Sequence, residues 1–125
     1  MASQKNNYEP LNPVDVEIRI RELSNKIAQS VKYVSAKQRE YDDAERAYKR
    51  AYAIAYTTGK GSIEDRKQNA VLATEKECQR RDVAKAALDY AKDFTRAYRD
   101  ELSSYQTISA MVRQMYAVAG RGEGA

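Results

Sequence analysis

The sequence predicts an all-α protein: a long antiparallel two-helix hairpin, coiled-coil-like along its seam, with an extended N-terminal arm. Three observations predict it. Two long segments free of Gly and Pro flank a single Gly-containing turn at "TTGKGS". Apolar residues recur every seven positions through both segments. The composition leans on Ala, Lys, Arg, Glu, Asp and Gln, with 32% of residues charged, a mixture that favours long helices.

Each element follows in order. Residues 1–12, "MASQKNNYEPLN", are polar, contain Pro10 and show no period, so they read as the arm. Asn12 followed by Pro13 is a helix start. Asn caps, and Pro suits the first helical position because the N–H it lacks is not needed there. The first helix is expected over 13–57 and the second over 63–118, with the hairpin spanning 13–119. Such helices would be about 65–70 Å and about 80–85 Å long. Residues 120–125, "GRGEGA", read as a flexible tail.

In the first segment Ile20, Ile27, Val34, Tyr41, Tyr48 and Ala55 share one heptad position, with Leu23, Ser30, Lys37, Ala44 and Ala51 three residues later. In the second, Ala70, Glu77, Ala84, Ala91, Tyr98, Tyr105 and Val112 share a position. Their expected companions are Ala73, Arg80, Ala87, Phe94, Glu101, Ile108 and Met115. Two separate amphipathic helices packed on something else are the competing reading of this pattern.

"TTGKGSIEDRK" has the look of a phosphate cradle, but it fails the phosphate-loop pattern. That pattern needs two glycines five residues apart, Lys and Ser/Thr after the second, and a strand before the first. Here Gly59 and Gly61 are two apart and a helix precedes them. The stretch reads instead as a turn. Gly59 would take the left-handed conformation that ends helix one, and Ser62 would cap helix two with Asp65 closing a capping box.

With the turn centred near residue 60, residue numbers in contact would total about 120. Val34 would meet Ala87, Ile27 Phe94, Ile20 Glu101 or Leu102, and Val16 Tyr105. Tyr41 would face Arg80, where Glu77 and Arg80 on the seam either snorkel to water or Arg80 stacks on Tyr41, worth ~0.5–1 kcal/mol at an exposed site. The register leaves Ile108, Met111, Val112, Met115, Tyr116 and Val118 beyond the start of helix one, and these form the candidate protein interface. The arm (Tyr8 and Leu11 in particular), a second copy or a different protein would have to cover them.

Catalytic chemistry finds little support. His is absent, which removes the commonest general base and a common transition-metal ligand. No catalytic, cofactor-binding or metal-ligating residues are expected, and no small-molecule substrate. The acids Glu40, Asp42, Asp43 and Glu45 point round a helix rather than converging, with Arg39 and Arg46 beside them. The single cysteine, Cys78, permits no internal disulfide and suits a reducing cytoplasm. No segment reads as a signal peptide or approaches the ~20 apolar residues of a membrane span. Tyr48, Tyr52 and Tyr56 form a stripe near the turn, read as packing for Tyr48 and left open for the other two. Arg81, Lys85, Lys92, Arg96 and Arg99 are the candidate nucleic-acid contacts. Asp82, Asp89 and Asp93, each three residues before Lys85, Lys92 and Arg96, are expected to neutralise them.

The run "YDDAERAYKRAYAIAYTTGKGSIEDRKQNAVLATEKE", with its Tyr/Ala-rich first helix, Gly-containing turn and "DRK-x-x-A" entry to the second, resembles a group of small uncharacterised bacteriophage and prophage proteins. The tail "AGRGEGA" after a Met-containing helix is similar too. The resemblance covers about residues 20–120. It implies an accessory role beside phage recombination and replication genes, in the cytoplasm of a bacterial host. It brings no functional residues with it. The expected function is a non-enzymatic interaction or assembly module, binding a protein partner or itself as a homo-oligomer. A DNA-associated accessory factor in phage recombination or replication is the alternative, and an inhibitor of a host defence protein is a third.

Overall fold

The computed structural model describes residues 12–123, with side chains through 120, so the arm over residues 1–11 lies outside the described residues. Helix α1 spans Pro13–Thr58, α2 spans Ile63–Ala73 and α3 spans Glu75–Glu123, with no strand among the described residues. The fold is an all-α hairpin in which α1 and α3 pack against each other.

The helix start at Asn12 takes the expected form. Its side-chain oxygen accepts from the Asp15 amide at 2.8 Å, and its side-chain nitrogen donates to the Asp15 carboxylate at 2.8 Å. At the turn, the Ser62 oxygen accepts from the Asp65 amide at 3.1 Å and the Ser62 amide donates to the Asp65 carboxylate at 3.3 Å. This completes the expected capping box. The left-handed glycine is Gly61, with φ +102°, and not Gly59. A Cβ on Gly61 would meet the Asp65 carboxylate at 3.0 Å, so the turn needs glycine there for both backbone and space.

The expected single second helix is two. The hydroxyl of Thr74 donates to the Ala70 carbonyl at 2.7 Å, competing for the acceptor that the Thr74 amide also uses at 3.1 Å. Back-bonding of this kind bends helices, and Thr74 takes φ −113°, ψ 22° between α2 and α3. At the far end α3 continues through Gly120 to Glu123, beyond the expected limit at 118.

Two compact units divide the chain, between residues 28 and 29 and between residues 95 and 96. In the terminal unit, Val16 and Leu23 of α1 are fully buried. Arg19 donates to Glu101 at 2.7 Å, beside the expected Ile20–Glu101 pairing, and also to Glu22 at 3.1 Å. These two carboxylates hold the Arg19 guanidinium above its ordinary pKa, chiefly through the Glu101 hydrogen bond. Lys26 lies over the Tyr98 ring at 5.7 Å.

The turn-proximal unit buries Ser30, Ala44, Ala70, Thr74, Leu88, Ala91 and Thr95. Here the register differs from expectation. Tyr33 meets Phe94 at 5.8 Å between ring centres, one heptad beyond the Ala87 that a total of 120 would supply. Arg81 rather than Arg80 carries the stacking interaction, 4.6 Å over Tyr48 rather than Tyr41.

The change from Arg80 to Arg81 follows from the side of α3 that is buried. The seam row Ala70, Ala84, Ala91 is placed as expected, but its buried companions are Thr74, Leu88, Thr95 and Ser109, four residues on instead of three. Four of the expected companions, Ala87, Phe94, Glu101 and Ile108, sit half-buried at the rim, and Ala73, Arg80 and Met115 are exposed. Small residues let helices approach closely, and a threonine in a helix can spend its hydroxyl on its own backbone. Thr95 does so on Ala91 at 2.8 Å and Thr74 on Ala70. Each therefore enters the seam as a small residue with no unsatisfied group.

Candidate interaction surface

Beyond residue 108 the apolar pattern of α3 divides into two lines. Ser109 is buried and Val112 half-buried, with Tyr116 continuing that line 60% exposed. Met111, Met115 and Val118, exposed at 58%, 68% and 61%, follow spacings of four and three on another line. With Gln114 and Ala119 they line an open apolar groove of about 510 Å³. Ile108 and Val112, expected to be uncovered, are half-buried, so coverage of α3 reaches about one turn further than the register predicted. Every described residue from 113 to 120 is exposed. Gln114 and Ala119 were not foreseen as lining residues; they follow from the i, i+3, i+4 neighbours of Met111 and Met115.

The basic residues separate into three kinds. Arg81 is held between Tyr48, Asp82 at 3.1 Å and the Cys78 sulfur at 3.8 Å. Its guanidinium is raised above its ordinary pKa, first by the Asp82 hydrogen bond. Arg96 is exposed and has a partner. Lys85, Lys92 and Arg99 are exposed and make no ion pair among the described residues. The expected Asp82–Lys85 and Asp89–Lys92 pairs are thus not formed. Asp82 turns to its neighbour Arg81 instead, whose guanidinium is already fixed by the Tyr48 ring.

The acids on α1 are locally satisfied. Glu40 accepts from Lys37 at 3.2 Å, Asp42 from Gln38 at 3.0 Å, Asp43 from Arg46, and Glu45 from Lys49 at 3.1 Å. The Lys49 hydrogen bond holds the Glu45 carboxyl below its ordinary range. No three His, Cys, Asp or Glu among the described residues stand together as metal ligands. Near the turn the half-buried rings of Tyr48, Tyr52 and Tyr56 form a ladder, with centres 6.3 and 6.5 Å apart. No helix among the described residues is long and apolar enough to cross a membrane.

No family model, curated protein or solved structure compared with the chain matches it significantly. A functional reading therefore rests on these surfaces.

Proposed function

We propose that this chain is a non-catalytic assembly module, a helical hairpin that captures another protein through the apolar C-terminal end of α3. The observation that carries this reading is the exposed set Met111, Met115, Tyr116 and Val118 on successive turns of one helix. Exposed apolar side chains grouped around a groove are a signature of protein contact. Methionine suits such a surface because its flexible, polarizable side chain adapts to a partner. Burying one such side chain fully contributes about 1.5–3 kcal/mol, so several together support a micromolar complex. The resemblance to phage accessory proteins is consistent with a partner in phage recombination or replication.

The double variant Met115→Asp/Tyr116→Asp tests this. It should abolish partner capture in affinity purification from host cells while leaving the circular dichroism of the parent, because both residues lie outside the buried seam. Capture of the same partners by parent and variant would refute the reading.

A second reading is favoured by one observation, the unpaired row of Lys85, Lys92 and Arg99 at seven-residue spacing. A row of this kind can follow a phosphate backbone. It predicts DNA binding that weakens steeply with salt, with a shallower salt slope in Lys85→Gln/Lys92→Gln. Filter binding over a salt series decides between the two readings, since the assembly module alone retains no DNA.

A further inference from the structure

In the terminal unit, burial on α3 runs past the level at which α1 begins. The Arg19–Glu101 bond, 2.7 Å long, sets the levels of the two antiparallel helices. Asn12 stands seven residues before Arg19, so it lies level with residue 108, seven beyond Glu101. Val112 is one turn further, about 6 Å past the start of α1 at ~1.5 Å per residue. Val112 is nevertheless half-buried, and Ser109 is only 8% exposed. Tyr116, one turn beyond on the same line, is 60% exposed.

Three features say what covers this end of α3. The first is the cap. The Asn12 side chain bonds in both directions to Asp15 at 2.8 Å, which starts α1 at that point. Leu11 is then the residue before the cap, and Val16 the fourth of the helix. An apolar pair at those two positions fixes the angle at which a chain enters its helix. Val16 is 1% exposed, on a helix packed against α3, so the pair brings the chain in along the α1–α3 seam. The second is reach. Tyr8, four residues before Asn12, lies up to about 13 Å from it at ~3.3 Å per extended residue. Tyr116 is eight helical residues beyond the level of Asn12, or about 12 Å. The third is the groove. Its lining side chains Met111, Gln114, Met115, Val118 and Ala119 all belong to α3. A single helix is convex, so a groove of about 510 Å³ takes its second wall from another segment. Because α1 starts below these residues and α3 runs on past them to Glu123, residues 1–11 are the segment within reach.

We propose that residues 1–11 dock along α3 beyond the start of α1, with Leu11 over Ser109 and Val112 and Tyr8 beside Tyr116, and so form the second wall of the groove. This rests on the groove being the capture site. It adds that a partner seated there touches the arm as well as α3, so the two ends of the chain build one surface.

Two measurements on the full chain test the docking without any partner, so they stand or fall apart from the capture reading. The first is disulfide cross-linking in a Cys78→Ser background at low protein concentration. Asn7 and Ala119 lie at matching distances from the level of Asn12, each about 16–17 Å away. Asn7→Cys/Ala119→Cys should close a disulfide within one chain on mild oxidation, at least about ten times faster than Asn7→Cys/Ala110→Cys. The second is hydrogen exchange read by mass spectrometry. Tyr8→Asp/Leu11→Asp should speed exchange over residues 112–119 by about ten-fold, because the apolar cover on that part of α3 is lost. Exchange over residues 84–95, in the other unit, should stay as in the parent. Equal cross-linking of the two cysteine pairs, disulfides formed only between chains, or unchanged exchange over 112–119 would overturn the proposal.

Discussion

Replacing Leu23 with Ala is expected to cost about 3 kcal/mol, within the range for large-to-small changes in cores. Leu23 is 0% exposed, and with Val16 it is the largest fully buried side chain. Among the described residues, three of the other four buried hydrophobic residues are alanines, Ala44, Ala70 and Ala91. Little apolar volume is therefore available to collapse into the space a truncated Leu23 would leave. A chain of this length has roughly 6–19 kcal/mol of stability in total, and one with so small a core belongs near the lower figure. The loss would then be about half of it, and should lower the thermal midpoint by roughly 10–15 °C. Val31→Ala, at a site 50% exposed, is the control and should change stability by less than about 1 kcal/mol. Urea unfolding followed by circular dichroism measures both. Equal losses in the two variants would mean that Leu23 is not a core anchor.

Ala91→Leu should be nearly as damaging for the opposite reason. Ala91 is 0% exposed, and its carbonyl already accepts the Thr95 hydroxyl at 2.8 Å. Added methyl groups there have no space unless α1 and α3 separate or neighbouring side chains leave their rotamers. Overpacking of this kind costs about 1–3 kcal/mol, and a seam built from small residues sits at the upper end because every residue beside it is close. The change should also weaken the burial of Leu88 and Thr95, which lie one turn either side. Ala110→Leu, at an exposed site of the same helix, should be tolerated within about 0.5 kcal/mol. If Ala91→Leu proved neutral or stabilising in urea, close approach along the small residues would be the wrong account of the seam.

How far each part could be read in advance depends on the range of the interactions that set it. The cap at Asn12, the capping box of Ser62 and Asp65, and the limits of the first helix rest on residues within four positions of one another, so the sequence by itself determined them. The heptad row through Ala70, Ala84 and Ala91 belongs with these, because a seven-residue repeat is also local, although the row crosses from α2 into α3. The candidate surface at Met111, Met115, Tyr116 and Val118 was legible as an apolar period running past the start of α1. Its extent was not, because burial of Ser109 and Val112 depends on what packs beside them.

Only the tertiary structure decided which side of α3 turns toward α1. Both flanks of the Ala70–Ala91 row were apolar enough to serve, one bearing Ala87, Phe94 and Ile108, the other Leu88 with two threonines and a serine. A hydropathy reading ranks Thr74, Thr95 and Ser109 as polar and chooses the wrong flank. Helix packing favours them, because a short side chain admits close approach, and the hydroxyls of Thr74 and Thr95 bond to their own helix, which offsets the cost of burying them. That choice brought Arg81 rather than Arg80 over a tyrosine ring, drew Asp82 away from Lys85, and left Val83 and Tyr90 exposed on α3.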